Sequence, residues 1–295
     1  MVQRKSKKKN STRKNVTKKA ATKKKIEKYK EGVKNGDADA QNNLGTMLCN
    51  GQGVRRNYKE AVRLYRLSAK QGNSGAQYNL GRMFKHGKGV RRNDKEAVRF
   101  YRLSAKQGNS GAQYNLGRMF KYGKGVRRNY KEAVRLYRLS AKQGNQIAQT
   151  NLGMMFYYGK GVRRNYKEAV RLYRLSAKQG DSGAQNNLGR MFDMGKGVRR
   201  NDKEAVRLYR LSAKQDDQFA QNNLGTMFGF GKGVRRNYKE AVRLYRLSAK
   251  QGNKIARNNL RNIIKTMKNV KNNKQKSKRL FRVASKTLRK SRTKK

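Results

Sequence analysis

The chain has 295 residues, of which 78 are lysine or arginine and only 16 are aspartate or glutamate, so its formal net charge is +62. Such a charge favours nucleic acid, anionic membrane surfaces or acidic proteins as partners. The single cysteine, Cys49, excludes an intrachain disulfide. No apolar run is long enough for a membrane span or a secretory signal, so we expect an intracellular protein, cytoplasmic or nuclear and not secreted.

The chain is dominated by an internal repeat. The segment 51–72 returns nearly letter for letter with a period of 36 residues and without an insertion. A fixed period of this size predicts a stacked-repeat architecture. We delimit six units, which cover residues 40–75, 76–111, 112–147, 148–183, 184–219 and 220–255.

The residues before the first unit divide into two parts. Residues 1–24 are rich in lysine and nearly free of apolar side chains, so we expect a basic disordered tail. In 25–39, Ile26, Tyr29 and Val33 stand one period before their counterparts in the first unit. This segment is predicted to be a degenerate helix that caps the array.

Each unit is predicted to contain two helices. The first begins near Ala40, and its apolar residues form one stripe of roughly 100° on a helical wheel. Gly45 beside this stripe allows a close helix–helix approach, and the glycines at 51 and 53 end the helix. The apolar stripe consists of Ala40, Leu44, Met47 and Leu48.

The second helix is predicted to begin at Asn57. Asn57 and Glu60 have the spacing of a capping box, and Gly72 is expected to end the helix in the left-handed conformation. The fifth unit carries Asp216 and Asp217 at this end, so we expect a looser helix end with faster hydrogen exchange around 212–217 than around 140–145. The predicted buried face consists of Ala61, Leu64, Tyr65, Ser68 and Ala69.

After the sixth unit the pattern decays. Residues 256–272 are predicted to form a C-terminal capping helix, because terminal repeats face water and are atypical. We expect a basic tail over 273–295, with a short amphipathic helix around Leu280 to Leu288 and a mobile end. The apolar stripe of the capping helix is Leu260, Ile263, Ile264, Met267 and Val270.

The repeat consensus points to a family. The string Ala…Leu-Gly…Gly-x-Gly-Val…Glu-Ala-Val-x-x-Tyr…Ala-x-Gln-Gly…Ala resembles the Sel1-like repeat, a relative of the tetratricopeptide repeat, over 216 of the 295 residues. The resemblance implies an all-α, right-handed α-solenoid of stacked antiparallel helix pairs that serves as an adaptor for protein complexes. The basic, asparagine- and lysine-rich, nearly identical copies are similar to Sel1-like proteins of giant amoeba-infecting DNA viruses.

Two positions depart from the family pattern. The usual aspartate before the second helix is Asn57 here, and a small residue late in that helix is Ser68. Both changes keep a capping group and a small packing site, so the predicted fold is unaffected.

Nothing in the sequence predicts catalysis, a cofactor or a metal site. His86 is the only histidine, and no pair of acids recurs at a spacing suited to acid–base work. The segment 81–88 has five residues between its glycines and Gly89 after its lysine, so it does not match a phosphate-binding loop. We therefore expect a protein that is not an enzyme.

A basic ridge is predicted on the second helices. Its side chains are spaced i, i+4, i+7 and i+11, which places them within about 60° of one another, opposite the apolar face. An anionic partner is one explanation, and a solvated face multiplied by duplication is the other. In the first two units the ridge consists of Lys59, Arg63, Arg66, Lys70, Lys95, Arg99, Arg102 and Lys106.

A second surface is indicated by where the copies differ. Within the first helix they change at 42, 46, 49, 50 and the 36-residue images of these positions, which share one face of the helix. First helices line the concave side of helix-pair solenoids, and aromatic, methionine and arginine side chains are enriched at interfaces. Neutral drift is the alternative. The predicted groove residues are Tyr78, Arg82, Tyr114, Arg118, Tyr122, Met154, Tyr157, Tyr158, Arg190 and Phe230, with the third and fourth units as the hot spot.

Two functions follow as hypotheses. The first is a monomeric, non-enzymatic scaffold that grips a protein segment in the concave groove. The second is sequence-independent binding of nucleic acid, or another polyanion, by the ridge and the basic tails through phosphate contacts. Adhesion of residues 1–25 to anionic membrane surfaces is a weaker third hypothesis.

Overall fold

The computed structural model describes residues 20–292, with side chains described up to 277 except at 274 and 276. We call the 36-residue copies repeats from here on and keep the word unit for a larger division. The described residues fall into two compact units, one ending at Arg164 and the other beginning at Asn165. Both units are built from antiparallel helix pairs that follow one another with the 36-residue period. The predicted class, an α-solenoid of stacked helix pairs, is confirmed.

The first unit opens with α1, which covers the described residues 20–34. Its helix pairs are α2 (Ala38–Asn50) with α3 (Tyr58–Lys70), α4 (Ser74–His86) with α5 (Asp94–Lys106), and α6 (Ser110–Tyr122) with α7 (Tyr130–Lys142), and α8 (Gln146–Tyr158) ends it. The second unit contains α9 (Tyr166–Lys178), α10 (Ser182–Met194) with α11 (Asp202–Ala213), α12 (Gln218–Phe230) with α13 (Tyr238–Lys250), and α14 (Lys254–Arg292).

The N-terminal cap is longer than predicted. Helix α1 already includes residues 20–24, which were expected to belong to the tail, because Ile26 is buried against Leu44, Met47 and Leu64 of the first repeat. The side chain of Thr22 lies beside Gly53 in the same contact. The predicted tail over 1–19 lies outside the described residues.

The first helices begin two residues earlier than predicted. Helix α2 starts at Ala38, where the Asp37 carboxylate accepts hydrogen bonds from the backbone N–H groups of Asp39 and Ala40. Residues Ala40, Leu44 and Met47 are buried as predicted. Gly51 ends the helix with φ of 70°, in the left-handed region that favours glycine.

The second helices bear out most of the predicted buried face. Ala61, Leu64, Tyr65 and Ser68 are buried. The Ser68 hydroxyl donates to the backbone carbonyl of Ala38 at 2.6 Å. The equivalent hydrogen bond is present within four other repeats. This serine therefore ties the end of each of these second helices to the start of its first helix, beyond the packing role expected of it.

The capping box forms only in part. The Asn57 side chain accepts from the Glu60 N–H at 3.0 Å as predicted. The Glu60 carboxylate does not reach back to the Asn57 N–H, because that group already donates to the Leu48 carbonyl at 3.0 Å. Instead the carboxylate accepts from Arg63, one turn further along the helix, at 2.7 Å.

Two places in the second unit differ from the regular pattern. Helix α11 ends at Ala213, one residue early, and Asp216 has φ of 60°, where glycine stands in the other repeats. Helix α14 continues unbroken to Arg292, so the predicted division at 272 is wrong. The physical reason is that no glycine or proline follows Gly252 to stop the helix.

Candidate partner-binding face

Side chains at the variable positions of the first helices form a surface that we call the first-helix face. In the first unit, Arg82 lies over the Tyr78 ring at 5.7 Å and Arg118 lies over the Tyr114 ring at 5.8 Å. The Tyr78 ring also reaches the next first helix, where Gly111 leaves room for it. In the second and third repeats the predicted arginine and tyrosine positions are thus brought together, one pair in each.

The last residue of each first helix is an exposed side chain of this face. Tyr122 is 55% exposed and Tyr158 is 57% exposed. The ammonium group of Lys121 lies 5.1 Å from the Tyr122 ring centre, and the rings of Tyr157 and Tyr158 meet edge to face at 4.8 Å. The predicted hot spot therefore presents partly exposed aromatic surface next to a positive charge.

A buried tyrosine of each second helix lies beneath this face. The hydroxyl of Tyr65 donates to the Thr46 hydroxyl at 3.2 Å, and Tyr245 and Thr226 are 3.1 Å apart in the same way. In the second and third repeats the threonine is replaced by Arg82 and Arg118. There the hydroxyls of Tyr101 and Tyr137 are buried without a hydrogen-bond partner among the described residues.

A pocket opens between the first and second repeats. It has a volume of about 240 Å³. Its lining combines four basic side chains with two tyrosines and no acid. The lining residues are Cys49, Asn50, Arg56, Tyr58, Tyr65, Asn79, Arg82, Met83, His86 and Lys88.

The equivalent place one repeat later is occupied by a lysine. Lys85 stands where the first pocket has Cys49, and its ammonium group donates to the Asn115 side chain at 3.4 Å. Burial, together with the nearby charges of Arg118 and Lys124, lowers the pKa of Lys85 to about 8. The first-helix face of this unit thus holds a cluster of cations that repel one another.

Lys85 and its equivalent Lys121 were not among the predicted site residues. Lys121 donates to Asn151 at 3.3 Å, so both lysines bridge to the next first helix. Their position was flagged as variable between copies, which is the signal that could have found them. The unpartnered hydroxyls of Tyr101 and Tyr137 had no such signal, since these tyrosines are identical in every copy.

The second unit carries different chemistry at the same positions. Phe230 is 71% exposed and Met194 is 49% exposed. Asp193 occupies the place that Lys85 has in the first unit, and Thr226 occupies the place of Arg118. Arg190 is half-buried. The predicted groove residues of this unit are therefore more apolar and less basic than those of the first.

The basic ridge is exposed as predicted, but part of its charge is engaged within the protein. Arg63 forms an ion pair with Glu60, and this hydrogen bond lowers the pKa of the Glu60 carboxyl. The same pair recurs in every repeat. Arg102 lies over the Phe120 ring of the next repeat at 5.7 Å, and three other repeats show the same contact.

The described residues contain no group of three or more histidine, cysteine or acidic side chains that could hold a metal ion.

Burial lowers the pKa of His86, and the charges of Lys85 and Arg82 lower it further, so the imidazole is neutral near pH 7. None of the helices formed by the described residues is long and apolar enough to cross a membrane.

Stacked helix pairs with variable side chains on one helix of each pair define a helical-repeat interaction protein. The family model for the Sel1 repeat matches residues 38–73, 74–109, 110–145, 146–181, 182–217 and 218–253. The chain therefore belongs to the Sel1 repeat family, as predicted from the consensus. The matched repeats start two residues before the predicted units, in line with the start of α2 at Ala38.

Two solved structures show the same fold. One is c5321, a protective antigen of uropathogenic Escherichia coli, with 36% identity, a TM-score of 0.73 and coverage of 80% of this chain. The chain spans 50% of the length of that structure. The other is a Sel1 repeat protein from Oxalobacter formigenes, with 28% identity, a TM-score of 0.68 and coverage of 76% of this chain and 96% of that one. No curated protein sequence matches the chain.

Sel1 repeat proteins are generally non-catalytic scaffolds for protein–protein interaction. These structural relatives are bacterial. The resemblance to viral members of the family rests on composition alone and stays a prediction.

Proposed function

We propose that the protein is a non-enzymatic scaffold that binds a segment of a partner protein along the first-helix face. The observation that carries this proposal is the pair of exposed tyrosines, Tyr122 and Tyr158, at the same position of successive first helices. Large aromatic side chains beside cations are typical of interface hot spots.

The test replaces Tyr122, Tyr157 and Tyr158 with alanine and compares the proteins captured by the full chain from its source cell. We expect the triple variant to lose the partners that the parent chain retains. A matched control replaces the exposed leucines Leu67, Leu103 and Leu139 of the second helices with alanine. Capture that is unchanged in the tyrosine variant, or reduced equally in both variants, contradicts the proposal.

Nucleic-acid binding by the ridge is a second candidate. The C-terminal segment favours this candidate, because residues 257–295 include sixteen lysine and arginine residues and no acid that could neutralise them. A basic surface of this kind binds phosphates without regard to sequence, so its affinity falls steeply with salt. A gel-shift titration with a random duplex tests it, and no binding near 50 mM salt removes this candidate.

Location and assembly state stay predictions. Affinity purification with and without nuclease separates protein partners from complexes bridged by nucleic acid. Partners that persist after nuclease treatment support the scaffold, and partners that disappear support the second candidate.

A further inference from the structure

The first-helix face of the first unit holds a cation cluster that lacks enough acid to neutralise it. Arg82 and Lys85 come from α4, while Arg118 and Lys124 come from the next repeat. The one acid near Lys85 among the described residues is Asp94. Arg92 holds its Oδ2 atom at 2.9 Å, and its Oδ1 atom is buried without a hydrogen-bond partner among the described residues. This single carboxylate leaves most of the positive charge uncompensated.

The cluster lies at the place that corresponds, one repeat later, to the open pocket between the first and second repeats. Each residue that lines that pocket of about 240 Å³ has an equivalent 36 residues later. Through this correspondence Tyr58, Arg82 and Lys88 become Asp94, Arg118 and Lys124. Lys85 stands at the position of Cys49, and its ammonium group donates to the Asn115 side chain.

A buried tyrosine lies beneath the cluster. Tyr101 has no exposed surface, and its hydroxyl has no hydrogen-bond partner among the described residues. In the first repeat the equivalent hydroxyl, that of Tyr65, is satisfied by Thr46. The second repeat has Arg82 at the position of Thr46, so it carries a cation where the first repeat has an internal hydrogen-bond partner.

We propose that this cluster binds carboxylate side chains of an acidic partner segment, with Arg82, Lys85 and Arg118 as the charged donors. Charge-assisted hydrogen bonds of this kind are about twice as strong as neutral ones. The inference deepens the proposed function, on which it rests, by stating the chemistry of the segment.

The aromatic geometry favours a carboxylate over a nucleobase. Arg82 covers the Tyr78 ring and Arg118 covers the Tyr114 ring. The Tyr78 ring also packs against Tyr101, at 6.1 Å between centroids. Stacking of bases needs free ring faces, whereas a carboxylate needs only the donors that these arginines and Lys85 present.

The repeat also predicts the spacing of the acids. One repeat further on, Lys121 donates to Asn151 at 3.3 Å, as Lys85 donates to Asn115. Neighbouring helices pack about 8–10 Å apart. An extended peptide advances about 3.3 Å per residue, so acids three residues apart match adjacent copies.

The test measures binding of a labelled peptide of about 12 residues, long enough to extend along three repeats, with glutamate at every third position. Fluorescence polarisation with the full chain is measured at about 150 mM salt, where long-range attraction is screened. The face variant combines Lys85→Met with Arg118→Gln. The matched control combines Arg99→Gln with Arg135→Gln, which removes the same charge from the ridge.

We expect the face variant to lose about tenfold in affinity and the control to lose less than about twofold. A glutamine version of the peptide is expected not to bind. The exposed Lys124→Glu variant repeats the charge test without altering packing.

Equal losses in the face and ridge variants, or no binding of the glutamate peptide, overturn the inference. A single-stranded RNA of similar length is the competing ligand, and RNA binding that depends on Lys85 and Arg118 more than peptide binding does also overturns it. Partner capture by the triple alanine variant of Tyr122, Tyr157 and Tyr158 is measured in a separate experiment. If that capture is lost while the acidic peptide fails to bind, the proposed function stands and only the carboxylate inference falls.

Discussion

The ridge and the first-helix face are both basic, yet their charges are arranged in opposite ways. On the ridge, Arg63 is paired with Glu60 and Arg102 rests on Phe120 of the next repeat. On the face of the first unit, Lys85 is half-buried among cations that lower its pKa. The ridge has more charge, but the face has the charge that the protein leaves unsatisfied, and unsatisfied charge is the better indicator of a binding site.

The largest expected effect comes from breaking the scaffold that both surfaces share. A Cβ added at Gly117 would lie 2.8 Å from the Tyr137 ring, which is buried and cannot move freely. We expect Gly117→Ala to lower the free energy of unfolding by about 1–3 kcal/mol, as measured by chemical denaturation.

The matched control is Gly229→Ala in α12. There the added Cβ meets nothing closer than Ile263, at 3.4 Å. Alanine is favoured over glycine inside a helix by about 0.5–1 kcal/mol, so this variant should be neutral or more stable. Equal destabilisation by the two variants would show that the close tyrosine contact is not the cause.

The buried tyrosines give a second comparison, because the same residue has a hydrogen-bond partner in one repeat and none in the next. Tyr65→Phe removes a hydroxyl that donates to Thr46, so we expect a loss of about 1 kcal/mol. Tyr101→Phe removes a buried hydroxyl without a partner and should be neutral or more stable by about 1 kcal/mol. Thermal unfolding of both variants checks the sign, and the same loss in both would contradict the assignment.

Removal of one cation from each surface is expected to change the free energy of unfolding by smaller amounts and in opposite directions. Lys85→Met removes a half-buried charge, so we expect a gain on the order of 1 kcal/mol after allowing for solvent screening. Arg135→Met removes an exposed ion pair with Glu132 and should cost about 0–1 kcal/mol. Denaturation midpoints distinguish the two, and a loss in both variants would remove the distinction between the surfaces.

The smallest effect is a pH dependence confined to the face. The pKa of Lys85 is about 8 in the folded protein, against 10.5 for an unperturbed lysine. Between these values the unfolded chain binds more protons than the folded one, so stability rises with pH from 8 towards 10. Burial lowers this pKa most, the charges of Arg118, Lys124 and Arg82 also lower it, and Asp94 raises it.

Stability of the parent chain is measured at pH 7 and pH 9.5 and compared with Lys85→Met. The variant lacks the titrating group, so the difference between parent and variant should shrink at the higher pH. A difference that stays constant would place the Lys85 pKa outside this window.

The two ends of the array show where the repeat alone is a poor guide. The repeat period correctly placed the helix that carries Ile26, but it placed the start of α1 too late. At the other end, α14 runs through the boundary expected at 272. Terminal helices lack a neighbour on one side, so their lengths depend on local stop signals, and after Gly252 there are none.

The sequence by itself determined the repeat, the helix pairs, their glycine ends and most of the buried side chains. These features depend on apolar spacing and on residues a few positions apart, which the printed sequence shows directly. The structure decided which cations are already engaged, and that Tyr65 is satisfied while Tyr101 is not. Apart from the Arg63–Glu60 pair, which lies within one helix, the contacts responsible join residues of different helices, such as Tyr65 with Thr46 and Arg102 with Phe120. They exist only once neighbouring helices have packed.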